Sequence, residues 1–93
     1  MRRAAKTDDN QREIVEALRA AGCSVGIVSG VGNGFPDLAV GRAGKTYLLE
    51  VKDGSKPASA QALTQAEKTW HINWRGHAAV VNSPEQALRA VGL

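Results

Sequence analysis

The chain has 93 residues, 43% of them hydrophobic, with a formal net charge of +3, which predicts one small domain spanning residues 1–93 around one core. No apolar run nears the roughly 18 residues of a membrane span, no hydrophobic segment follows the polar start Met1–Lys6, and the lone Cys23 leaves neither an internal disulfide nor a cysteine–histidine zinc cluster. A soluble cytoplasmic protein is expected. The mild positive charge suits a phosphate-bearing partner and equally a solvated basic surface.

Residues 1–8 are polar and basic and predict a frayed end. A helix is expected from Asp9 or Asn10, because Asn10 and Glu13 have capping-box spacing. Ile14, Ala17, Leu18 and Ala21 then repeat at helical spacing, and Gly22 supplies a stop. Residues 24–29 read as a short strand, followed by the flexible loop Gly30-Val31-Gly32-Asn33-Gly34. Residues 37–42 read as a second strand, Ala43-Gly44-Lys45 as a hairpin turn and residues 46–52 as a third strand. In that strand Tyr47, Leu49 and Val51 take one face and Leu48, Glu50 and Lys52 the other. Residues 59–63 lead into a second helix, where Thr64 and Glu67 again have capping-box spacing, with its end near Trp74 and Gly76. Residues 78–81 read as a fourth strand, and Ser83-Pro84 opens a last helix. The order αβββαβα implies an α/β fold with no internal repeat.

The chemistry concentrates between Gly34 and Lys52. A tight turn at 41–45 pairs strands two and three antiparallel and brings Asp37 toward Glu50 or Lys52, although the pattern leaves the register open by a residue. Two converging carboxylates repel, which a hard divalent cation such as Mg²⁺ relieves while also binding phosphate oxygens. The Val51 backbone carbonyl is a third candidate ligand. Lys52 is suited to orient a water or to stabilise developing charge, and the glycines of the loop allow a phosphate backbone close approach. Glu-x-Lys on a strand is commonly only a salt-bridged solvent face. Here the two charges interrupt the apolar run Tyr47-Leu48-Leu49-Glu50-Val51-Lys52, which costs stability unless something binds there.

The pattern resembles the PD-(D/E)XK nuclease superfamily. Over roughly residues 8–92 the chain is similar to the stand-alone VRR-NUC proteins of phage and prophage genomes, relatives of the archaeal-type Holliday junction resolvases. The residues that carry the likeness are Asn10-Gln11 with Ile14-Val15, Gly34-Phe35-Pro36-Asp37-Leu38, Tyr47 through Gly54, and Leu63-Thr64. The resemblance implies a restriction-endonuclease-like αβββαβ core, a mixed sheet flanked by helices. It also implies a Mg²⁺ or Mn²⁺ site with Asp37 and Glu50 as ligands, Lys52 as the catalytic lysine, and an acidic residue from the first helix. Glu13 is the matching position, possible as a metal ligand through water, while from the residues alone it is equally the capping partner of Asn10. Relatives often carry a glutamine early in the second helix. Gln61 and Gln65 are the candidates, and Glu67 stands where relatives can have Gln.

Weaker signals surround this core. Arg12, Ser29, Gly32, Asn33, Lys56 and Lys68 are candidates for DNA contact. Trp70 and Trp74, spaced i, i+4, suit a core or dimer face, or stacking on bases. His71 reads as half-buried or partner-facing, His77 as structural, Cys23 as a small buried hydrophobe. Together these readings predict a Mg²⁺-dependent DNA endonuclease acting as a homodimer, and the resemblance implies structure-selective, resolvase-type action on branched or junction DNA. A non-catalytic nucleic-acid-binding module on the same fold is the second reading. A small interaction domain, with Glu50 and Lys52 merely an ion pair, is the third.

Overall fold

The computed structural model describes residues 5–93. Helix α1 covers Ala5–Ala20, so it begins before the expected start. Asn10 therefore lies inside the helix and is not its cap. The expected frayed end at residues 1–8 is helical from Ala5 onward, and residues 1–4 lie outside the described residues. The buried stripe of α1 is Ile14, Val15 and Leu18, whereas Ala21 is exposed. At Gly22 the backbone turns left-handed (φ +95°) and the Cys23 amide donates back to the Leu18 carbonyl at 3.0 Å, closing the helix.

Strands β1 (Ser24–Ile27), β2 (Leu38–Arg42), β3 (Lys45–Val51) and β4 (His77–Val81) form one sheet in the order β1-β2-β3-β4. The first three pair antiparallel and β4 runs parallel to β3. Between β1 and β2 the glycine loop contains a short 3₁₀ turn at Ser29–Val31. Ala43 and Gly44 both have positive φ, at 52° and 79°, as the tightest hairpins require. That turn sets Leu38 opposite Leu49 and Val40 opposite Tyr47.

Helix α2 is a single turn at Ala58–Gln61, and α3 covers Gln65–Asn73. Thr64 caps α3 with the full reciprocal box: its hydroxyl accepts from the Glu67 amide, and Glu67 accepts from the Thr64 amide. Helix α4 covers Pro84–Ala90, capped by Ser83. Ile14 and Leu18 of α1 and Ala87 of α4 pack with Leu38, Val40, Leu49, Val51 and Val81 of the sheet. Each large aliphatic group in this layer contributes about 2 kcal/mol of burial. The expected fold class is found: a mixed four-stranded sheet with flanking helices. Helix α3 has no buried residue, which matters below.

Candidate functional site

Strand register builds the site. Asp37 lies one residue before β2, and its amide donates to the Leu49 carbonyl at 3.1 Å, so the ladder continues past Leu38 and sets Asp37 beside Glu50. Its Oδ2 accepts the Val51 amide at 2.8 Å, which fixes the carboxylate across the end of β3. Pro36, immediately before it, is fully buried and stiffens the approach. Glu50 is 4% exposed, the one buried charged side chain among the described residues.

Burial pushes the Glu50 carboxyl up to about 8, helped by the charges of Asp37 and Glu67 and by a hydrogen bond with Asp37, while Lys52 pulls the other way. Lys52 neutralises Glu50 only in part, because its Nζ is 3.6 Å from Glu50 Oε2 but 2.9 Å from Glu67 Oε1. For Lys52, burial works to lower the pKa, yet the hydrogen bond and charge of Glu67, with Glu50 and Asp37 behind it, hold it above the usual lysine range. Glu67 moves the opposite way: burial raises it, and the hydrogen bonds from Lys52 and the Thr64 amide bring it below the usual carboxylate range. Lys52 is thus a fixed cation at neutral pH and unsuited to act as a base.

Asp37, Glu50, Val51, Lys52, Asp53, Lys56 and Ala60 line a cavity of about 310 Å³. Two carboxylates that share too little positive charge, opening onto a cavity with a fixed ammonium, form a donor set that fits a hard divalent cation. Glu13 sits elsewhere. It is exposed and lines an adjoining depression of about 330 Å³ with Asp9, Asn10, Asp53 and Ser55. Among the described residues no group of three or more acidic, histidine or cysteine side chains is arranged to hold a metal ion. Asn10 has a different task from capping: its Nδ2 donates to the Lys52 carbonyl at 2.7 Å and ties α1 to the end of β3.

Other sequence candidates fall outside the cavity. Arg12 pairs with Asp9 at 2.7 Å on the surface of α1. Ser29 is in the 3₁₀ turn, Gly32 and Asn33 follow it, and Lys68 is exposed on α3; Lys56 alone of the basic candidates borders the cluster. His71 is half-buried, with its Nε2 enclosed and without a hydrogen-bond partner among the described residues, and burial holds its pKa below the usual value.

Glu67 is the residue that the sequence assigned to the cap of α3 but to no role in the site. Its signal was present, since the Thr64–Glu67 spacing fixes its carboxylate at the start of α3. That this start abuts Lys52 is a fact of the fold. The abutment is tight: Gly34 is left-handed (φ +81°), and a Cβ there would fall 2.3 Å from the Ala66 carbonyl oxygen.

Comparison with solved structures finds a VRR_NUC domain at a TM-score of 0.68, 27% identical, the match covering 92% of this chain and 94% of that one. The fold is that of a VRR-NUC domain. The resemblance drawn from residues 8–92 therefore stands, and the domain is of nuclease type. No family model and no curated protein matches the sequence. Among the described residues, no helix is long and apolar enough to cross a membrane.

Proposed function

We propose that the domain is a divalent-metal-dependent DNA endonuclease, with Asp37 and Glu50 as metal ligands and Lys52 as the cation that meets charge developing on the scissile phosphate. The observation that carries this is the under-neutralised pair of part-buried Asp37 and buried Glu50, which opens onto a cavity beside an ammonium held by Glu67. Mg²⁺, when bound, supplies charge neutralisation and acidifies a water, and Mn²⁺ suits the same oxygen donors. The Val51 carbonyl is a further candidate ligand, and Glu13, in the adjoining depression, would act through water. Asp37 keeps its carboxylate oriented through the Val51 amide, and Lys52 contributes electrostatic stabilisation. Selectivity for branched or four-way junction DNA, cleavage by a homodimer and a place in phage or host-cell DNA processing belong to this reading by likeness to resolvases.

The test is cleavage of junction, flap and duplex DNA with and without Mg²⁺. Metal-dependent cleavage is expected, reduced about 100-fold or more by Asp37→Ala, Glu50→Ala or Lys52→Ala. Full activity in any of these variants, or no cleavage of any substrate by the unmodified protein, overturns the assignment.

A further inference from the structure

A second feature lies on the neighbouring face of α3. Trp70 and Trp74 stack with ring centroids 4.7 Å apart and planes 19° off parallel. Phe35 meets both edge-on, at 5.3 Å and 6.0 Å, and so fixes the pair from beneath. Gly76 admits the second indole closely, since a Cβ there would fall 2.9 Å from Trp74 Nε1. Trp74 keeps 40% of its surface exposed. With Asn33, Ala66, Thr69 and Asn73 the two indoles line a groove of about 470 Å³.

Three observations define what this groove would hold. First, its lining is aromatic, with the side-chain amides of Asn33 and Asn73. Neither Asn33 nor Asn73 hydrogen-bonds through its side chain among the described residues, so each offers both donors and an acceptor. Second, no carboxylate lines it, and Lys68 and Arg75, on and just beyond α3, are exposed. A polyanion meets no repulsion there. Third, it adjoins the Asp37–Glu50 cluster through short chain steps. Ala66 lines the groove while Glu67, the next residue, bonds Lys52, and Asn33 lines it four residues before Asp37. An aliphatic partner surface would instead use Ile72 and Val80, which are 81% and 43% exposed and lie outside the groove.

We propose that this groove receives an unpaired nucleobase, stacked on Trp74 and met at its edge by the Asn33 and Asn73 amides, from a strand whose backbone continues to the Asp37–Glu50 cluster. The inference rests on the nuclease reading for its choice of ligand and names an unpaired strand as part of the substrate. Stacking needs no particular base, whereas the amides can favour one edge pattern over another.

Both tryptophans of the chain line the groove, so intrinsic fluorescence reports on it directly. The full chain in EDTA is titrated with a short single-stranded thymidine oligonucleotide and with a hairpin duplex. Saturable quenching by the single strand is expected. Trp74→Ala should weaken single-strand binding about tenfold and change duplex binding less than about twofold, and Trp74→Phe should restore most of the loss. Asn73→Ala, at the exposed end of α3, should change the ranking among thymidine, cytidine and adenosine oligonucleotides without loss of fold by circular dichroism. Absence of quenching, equal losses on single strand and duplex, or a Trp74→Ala variant that dissociates a protein dimer but binds the single strand normally would each overturn the proposal. Because the titration is metal-free, a protein that cleaves DNA in Mg²⁺ yet shows no quenching refutes the groove alone. Quenching without cleavage refutes the nuclease reading alone.

Discussion

Lys52 reaches past its strand neighbour Glu50, 3.6 Å away, to bond Glu67 on a different element at 2.9 Å. The capping carboxylate of α3 thereby also anchors the ammonium of the site. Glu67→Ala removes the charge-assisted bond and half of the capping box, and should lower the unfolding free energy by about 2 kcal/mol. Glu67→Gln keeps an oxygen for both donors and should cost less than about 1 kcal/mol. Urea unfolding in EDTA checks the pair, and equal losses would show that Glu67 acts only by its negative charge.

The Glu50 carboxyl has a pKa of about 8 against 4.5 when unperturbed. An acid raised in the folded state contributes stability that is complete below pH 4.5 and fades as pH rises toward 8. His71, whose pKa is lowered by burial from 6.5, acts the other way only below that value. Between pH 6.5 and 8 the metal-free protein should therefore lose stability as pH rises, at up to about 1.4 kcal/mol per pH unit. Glu50→Gln should flatten this slope and raise Tm at pH 8. Thermal melts in EDTA across that window decide it, and an unchanged slope in the variant would assign the effect elsewhere.

Gly32 and Gly34 have the same left-handed backbone, φ +82° and +81°, but different surroundings. A Cβ at Gly32 meets nothing within 4 Å, while at Gly34 it strikes the Ala66 carbonyl. Gly32→Ala should cost about 1 kcal/mol from backbone strain alone. Gly34→Ala should cost more than about 2 kcal/mol and displace the start of α3 from Lys52. Comparing the two in melts and in kcat separates strain from displacement.

Asp37 Oδ2 accepts the Val51 amide at 2.8 Å. Asp37→Asn retains an acceptor and should leave stability within about 1 kcal/mol, whereas Asp37→Ala orphans a buried amide at about 1–3 kcal/mol. Both should lose metal-dependent cleavage. A variant pair with equal stability and unequal activity would separate the carboxylate's charge from its role in holding β3.

Much of this was legible in the residues. The apolar run Tyr47–Val51 marked strand β3, whose end is buried on both faces, and Thr64 with Glu67 announced the cap of α3. The family likeness of the Pro36-Asp37 and Glu50-Val51-Lys52 segments agreed with the fold found. Register was not legible, because period-2 alternation tolerates several pairings until the turn geometry at Ala43 and Gly44 chooses one. The start of α1 was misplaced for a different reason. Asn10 and Glu13 satisfy a local capping pattern, but Asn10 spends its amide on the Lys52 carbonyl, a partner 42 residues away. Tertiary contacts of this kind leave no mark on a local window.

Helix α3 buries no residue of its own and consists of nine residues, below the length at which an isolated helix holds in water. Asp37 and Glu50, by contrast, are set by ladder bonds of the central strands. The two halves of the cluster therefore belong to regions of unequal local stability. Opening of α3 would release Lys52 and the tryptophan pair together while the paired carboxylates keep their positions. Amide hydrogen exchange should be faster across Lys68–Asn73 than across Leu48–Val51, and the carboxylate half should persist under mild denaturant that has already freed the ammonium.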